Sequence, residues 1–460
     1  MRSISDRLAR AFAWVMRRLE SRRGRLGFWI FVGLAGIALG VQAVVRAEVP
    51  EEVYVDRLSY ESPMEIDTDE DTQAHWHSSE FGGFRRLSWG AVVEGIDQYE
   101  ELHTRAYPPF FAIAFFPFAV LWRCRGAGST LFFLLGYGSS ILSAWCLARW
   151  WQEREEEPRF GLFAVIWLLI LPFAAAVLLR LETDMLVILP LSAALLFLAR
   201  GRRRYVAGAL LGFAASFKVL PGLFGVYLIA QRRWKALGGM IVAGLVCTII
   251  LPTLVWGPRG AWERHVSWYR NVIAPYGGGG AQEVIGRPYR STNQSLAAAV
   301  HRFFTDIRAG KSGDPRRVNV ADLSHSQAGR IATVLHGIIG LGLVALWFFS
   351  RRPDEPGVTV AAVFATVPLG MLLLSEVSLT GHHLGLMIPV AVFLVRGVCR
   401  SEERARWWLW AVVLALLLCI FGAQPTVDLY SPLVAATLLL TIATVALIIR
   451  DLRSRPEPVG

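Results

Sequence analysis

Runs of apolar residues long enough to cross a bilayer recur along the whole chain, and no soluble fold has room for so many. A spanning helix needs about 20 such residues. Apolar segments begin near residues 27, 107, 127, 160, 182, 205, 219, 236, 328, 357, 383, 406 and 432. Of 460 residues, 54% are apolar and 18% charged, against roughly 45–50% and about 25% in soluble domains. The balance excludes a disordered chain, a disulfide scaffold and a compact nucleic-acid binder, despite a net charge of +11. It predicts an all-α polytopic membrane protein with about 11–13 transmembrane helices.

Charge orients those helices. The 44 Arg and three Lys fall mostly in short clusters between apolar runs, such as 200–204, 232–235, 351–352, 400–406 and 450–455. Short Arg/Lys-rich loops mark the cytoplasmic side. The prediction is a basic cytoplasmic segment 1–26, a membrane domain 27–450 and a cytoplasmic tail 451–460, with both termini inside. The run Gly27–Val45 lacks a small-residue cleavage site and reads as a retained signal anchor. Two long polar segments, 47–105 and 257–327, fall outside by parity. The first holds 15 acids and four arginines; the second holds ten basic and five acidic residues. Long loops translocate regardless of their charge.

One stretch departs from the spanning pattern. Tyr205–Ala230 lies between two basic clusters, and each half is too short to cross, so a hairpin of two short helices broken at Lys218-Val-Leu-Pro-Gly222 is predicted. Ionisable groups within membrane segments are functional suspects. Lys218 reads either as a point charge for a phosphate or as a lysine that snorkels to the surface. Arg180-Leu-Glu182-Thr-Asp184 reads either as a solvated turn with an internal ion pair or as a catalytic turn. His382-His383 begins an apolar segment and suits an interfacial pair or a ligand. Asp67-Thr-Asp69-Glu70-Asp71 followed by His75-Trp-His77 has metal-like content, but calcium-loop spacing is absent and a solvated acidic run is the better reading. The five cysteines lie in or beside apolar runs, with no zinc-type pairing.

Several short motifs, in order along the chain, resemble one family. Tyr107-Pro108-Pro109-Phe110 follows the acidic loop, and Glu80-Phe-Gly-Gly-Phe84, Trp89 and Gly95-Ile-Asp97-Gln-Tyr99 precede it. Ala207-Gly208, Phe217-Lys218-Val-Leu-Pro221 and Arg232-Arg-Trp234 come next, then Thr292-Asn293-Gln294-Ser295-Leu296 with Arg302, and Ser375, Ser378, His382 and Pro389. The set is similar to glycosyltransferase family 87, also called DUF2029, whose members resemble the mycobacterial polyprenol-phosphate-mannose-dependent mannosyltransferases. The resemblance covers roughly residues 80–390. Departures are Glu80 where the family has Asp, acids at Glu182 and Asp184 where it has amides, Glu376 for a proline and Leu379 for a tryptophan.

The resemblance implies a GT-C-like fold with two large outward-facing loops. It also implies inverting transfer of a sugar, mannose or another hexose or pentose, from a polyprenyl phosphate. The acceptor would be a glycolipid or glycan on the outer face of the cytoplasmic membrane. Inversion needs a carboxylate base at the acceptor hydroxyl and cations at the departing phosphate. Glu80 is the implied base, with Asp71 as its fallback. Lys218, Arg290 and His382 are implied on the phosphate side, and Tyr107, Glu182, Asp184, Asn293 and Gln294 at the sugar or acceptor. Partners are then the lipid-linked donor, the acceptor and membrane lipids, not nucleic acid. No cofactor or metal site is implied, though the acidic cluster leaves a divalent ion open. The alternative is a transporter or flippase for an anionic lipid-linked substrate. Transporters pair broken helices in their two halves, and no counterpart to the 218–222 break is legible in the second half. A non-catalytic membrane scaffold fits the outer loops and buried charge less well.

Overall fold

A computed structural model of the chain describes residues 14–48, 80–99, 107–121, 124, 126–150, 159–274, 293–307, 317–351, 358–399 and 430–453. The described elements are helical throughout, and the chain is an all-α polytopic membrane protein. Among the described residues, six helices are long and apolar enough to cross a membrane: Arg22–Val45, Ala127–Arg149, Phe160–Arg180, Trp234–Ile273, His325–Phe349 and Pro432–Arg453. Shorter apolar helices fill the spaces between them. The apolar segment near 406 and the acidic run 67–71 lie outside the described residues.

In chain order, α1 is Arg22–Glu48, α2 Glu80–Trp89, α3 Phe110–Val120, α4 Ala127–Arg149 and α5 Arg159–Arg180. Then come α6 (Asp184–Ala199), α7 (Arg204–Phe217), α8 (Leu223–Ala230), α9 (Trp234–Leu245) and α10 (Leu251–Trp268). Finally come α11 (Leu296–Phe304), α12 (His325–Phe349), α13 (Val358–Leu373), α14 (Met387–Cys399) and α15 (Pro432–Arg453).

The hairpin expected over 205–230 is present as α7 and α8, separated by extended Lys218 and a 3₁₀ turn at Leu220–Gly222. Pro221 supplies no N–H and cannot continue a helix, so the break is written into the chain. Small residues then let α7 lie directly on the backbone of α9. A Cβ added at Gly208 would sit 1.7 Å from the Ala236 carbonyl oxygen, and one at Gly239 2.1 Å from that of Tyr205. Close backbone approach at small residues is how membrane helices gain packing without hydrophobic drive. Gly208→Ala is therefore expected to cost about 1–3 kcal/mol by overpacking against a backbone that cannot yield. Gly244→Ala, with open space around it, serves as the neutral control. Thermal unfolding in detergent checks the pair; equal melting temperatures would show that α7 and α9 separate freely.

The two polar segments hold more structure than their composition suggests. Within 47–105, α2 buries Phe81, Phe84 and Leu87 with Ala91 beyond its end, a spacing of three and four that belongs to one helix face. Phe84 meets Phe111 at 5.0 Å and Phe115 at 5.5 Å, and Phe81 meets Phe132 at 5.7 Å, so α2 is bolted to α3 and α4 by aromatic contacts. Within 257–327, the helix does not stop at 257. Gly257, in a left-handed conformation (φ 73°, ψ 167°), bends it, and α10 runs on to Trp268 with a π turn over Tyr269–Ile273. Apolar side chains left exposed on α1, α10 and α12, such as Leu34, Ile37, Leu254 and Leu341, are those a bilayer would cover.

The second half also has a break. Between α13 and α14 the chain leaves the α conformation and forms a 3₁₀ turn at Thr380–Leu386. This break carries no Pro-Gly step, and its Ser, Glu, Thr, Gly and His residues read in the sequence as a polar connection between two apolar runs.

Candidate active site

The breaks in α-helix converge on one polar cluster. The α5–α6 turn reverses tightly: Leu181 is left-handed at φ 52° and the Glu182 N–H donates to the Val177 carbonyl at 3.0 Å. A non-glycine residue in that region is uncommon and costs energy. It turns the Glu182 side chain inward, where it is 5% exposed, with one carboxylate oxygen 3.5 Å from Arg180 Nη1. The other oxygen lies against Gly381, where a Cβ would approach it to 2.1 Å. A larger residue at 381 would have to displace the Glu182 carboxylate.

Two residues on, Asp184 opens α6, and Lys218 Nζ donates to its Oδ1 at 2.8 Å. The same ammonium stands 5.6 Å from the ring centre of Tyr107. Tyr107 in turn lies 3.3 Å from Thr183 through their hydroxyls and stacks on Phe111 at 4.1 Å. His382, half-buried in the second break, lies within electrostatic reach of Asp184, as Glu182 does of Lys218. Tyr107, Glu182, Asp184, Lys218 and His382 thus come together from four separate stretches of the chain. Carboxylates, a cation, a histidine and an aromatic face can bind a sugar and an anion side by side.

Asn293 and Gln294 form a joint beside this cluster. Asn293 Oδ1 accepts from the N–H groups of Ser295 (3.1 Å) and Ser378 (3.0 Å), and its Nδ2 donates to the Glu376 carbonyl at 3.1 Å. The Gln294 N–H donates to the Ser378 carbonyl at 2.7 Å, and Ser295 Oγ donates to that of Glu376 at 2.8 Å while capping α11. Arg302, fully buried, donates to the Asn293 carbonyl at 2.8 Å. Asn293 and Gln294 are 4% and 2% exposed; their place is at the seam holding the segment that carries His382.

Glu80 is the first residue of α2, and its side chain lies outside the described residues, as do Asp71 and Arg290. Among the described residues no three His, Cys, Asp or Glu side chains are grouped to hold a metal ion. Sequence reading passed over Thr183, Gly381 and the buried Tyr99. The Tyr99 hydroxyl, pushed well above its ordinary pKa by burial, donates to the Tyr107 carbonyl at 2.8 Å. Tyr99 belongs to the motif Gly95–Tyr99, which was the available signal.

Residues 106–375 match the model of Glycosyltransferase family 87. The chain is also similar to the polyprenol-phosphate-mannose-dependent alpha-(1-2)-phosphatidylinositol pentamannoside mannosyltransferase of Mycolicibacterium smegmatis, with 26% identity over 246 residues. That match covers 49% of this chain and 47% of the relative, so the chain spans about half the length of the curated protein it matches. No solved structure matches it.

Proposed function

The chain belongs to glycosyltransferase family 87, and from that premise we propose that it transfers a sugar from a polyprenyl phosphate to a glycolipid acceptor. The observation that carries this reading is the convergence of Tyr107, Glu182, Asp184 and Lys218, all inside the matched region, with His382 just beyond its end. Lys218 and His382 serve the phosphate side of the donor, and Arg290 is assigned the same role from the family resemblance alone. A lysine already held at 2.8 Å by a carboxylate is pre-oriented as a point charge. Glu182 and Asp184 accept hydrogen bonds from sugar hydroxyls, and the Tyr107 ring offers an apolar face.

Glu80 is the proposed base, with Asp71 as fallback. Its carboxylate takes the acceptor hydroxyl's proton as the new O–C1 bond forms, and the C1–O bond to phosphate breaks with inversion. The electron pair leaves with the polyprenyl phosphate, where the cations stabilise it. The hydroxyl and the phosphate therefore stand on opposite sides of C1. The sugar is mannose or another hexose or pentose, and the protein sits in the cytoplasmic membrane with both termini inside and this site on the outer face.

Purified protein in lipid nanodiscs, given radiolabelled polyprenyl-phosphate mannose and a glycolipid extract, tests the reading. Free polyprenyl phosphate should appear as label enters the glycolipid. If vesicle-reconstituted protein instead carries the intact donor across the bilayer with no bond cleaved, the paired helix breaks belong to a transporter and the transferase reading fails.

A further inference from the structure

We infer that Arg264 is a positioning residue that couples the second outer segment to the helix carrying the base; this rests on the transferase reading above. Helix α2 continues as a π turn over Gly90–Glu94 and ends at Gly95, left-handed at φ 75°. Helix ends leave carbonyls without intrahelical partners. Here those partners come from elsewhere in the chain. Arg264, on α10 and 7% exposed, donates from Nη1 to the Ile96 carbonyl at 2.7 Å and from Nη2 to those of Gly95 at 3.0 Å and Ala91 at 3.1 Å. The Trp256 ring lies 4.6 Å from the guanidinium carbon, and its Nε1 donates to the same Ala91 carbonyl at 2.9 Å. The bend at Gly257 lies between these two residues and turns both toward the end of α2.

Charge and shape both point to a mechanical role. A cation at a helix C-terminus complements the helix dipole, and the planar fork of arginine serves several carbonyls where lysine cannot. The line of contacts continues toward the site: past Ile96 the chain reaches Tyr99, whose hydroxyl holds the Tyr107 carbonyl, and Tyr107 faces Lys218. Near its other end α2 is held by Phe81 and Phe84. A rod of about 15 residues is roughly 22 Å long. Contacts near both ends restrain this helix from swinging or rolling, and Glu80 is the residue at which it starts. A displacement of about 1 Å in a reacting group is enough to cost 10²-fold in rate.

The test compares Arg264→Ala, Arg264→Lys and Trp256→Phe with the unaltered protein in nanodiscs. Arg264→Ala should lower kcat by roughly 10–100-fold with the donor KM changed less than twofold. Arg264→Lys and Trp256→Phe should lie between, and millimolar guanidinium should restore some of the alanine variant's kcat. Unchanged kcat, or loss of kcat and donor binding together without rescue, overturns the inference. Hydrogen exchange over residues 80–99 reads the coupling without turnover. Faster exchange in Arg264→Ala is expected, and unchanged exchange overturns the inference even in an inactive protein. Absence of transfer by the unaltered protein is a separate result and fails the transferase reading itself.

Discussion

Glu80→Gln is expected to lower sugar transfer by about 10²–10⁴-fold, the span that removal of a general base usually covers. Glutamine keeps the size of the side chain and its place at the start of α2 but cannot take a proton. Donor binding and the melting temperature should therefore stay unchanged. The measurement is turnover of radiolabelled donor beside equilibrium binding of the same lipid. A side chain that only caps α2 would show the opposite pattern, with stability lost and turnover kept. Asp71→Asn, assayed in parallel, separates the two carboxylates: a large loss there with Glu80→Gln near full activity would move the base to Asp71.

The second large effect concerns Lys218. Lys218→Met should weaken donor binding at least tenfold by removing a cation from the phosphate side, and should also destabilise the fold. Asp184 would then keep a partly buried carboxylate without its partner at 2.8 Å, and breaking such a pair costs about 3–5 kcal/mol. The double variant Lys218→Met/Asp184→Asn removes both charges and should regain much of the stability, because an unpaired charge rather than the missing pair carries the cost. Donor affinity should stay low in the double variant. If affinity returns together with stability, Lys218 serves the fold alone and the phosphate is held elsewhere.

Some of this was legible in the linear chain and some was not. The Lys218–Pro221 break could be read because proline and a charge interrupt an apolar run locally. The second break, at Thr380–Leu386, has no proline and reads as a polar connection between two apolar runs; only the joint of Asn293, Gln294 and Ser295 with Glu376 and Ser378 shows how the segment leading into it is held. The turn at 180–184 reads in the sequence more readily as a solvated turn than as a catalytic one. Burial of Glu182 against Gly381 is a contact across some 200 residues that no window of sequence contains. Likewise α2 lay inside a segment whose acidity masked the helical spacing of Phe81, Phe84 and Leu87.

The sequence by itself determined the class of the protein: how many apolar runs it has, where its charges fall between them, and which short motifs place it in family 87. Those properties are local, because transfer into a bilayer depends on about 20 neighbouring residues at a time. Tertiary structure decided what stands beside what. Lys218 meets Asp184, Tyr107 meets Thr183 and Arg264 meets the end of α2 only after the helices have packed. That packing depends on close approaches such as Gly208 on Ala236, where one added methyl would push the backbones of α7 and α9 apart.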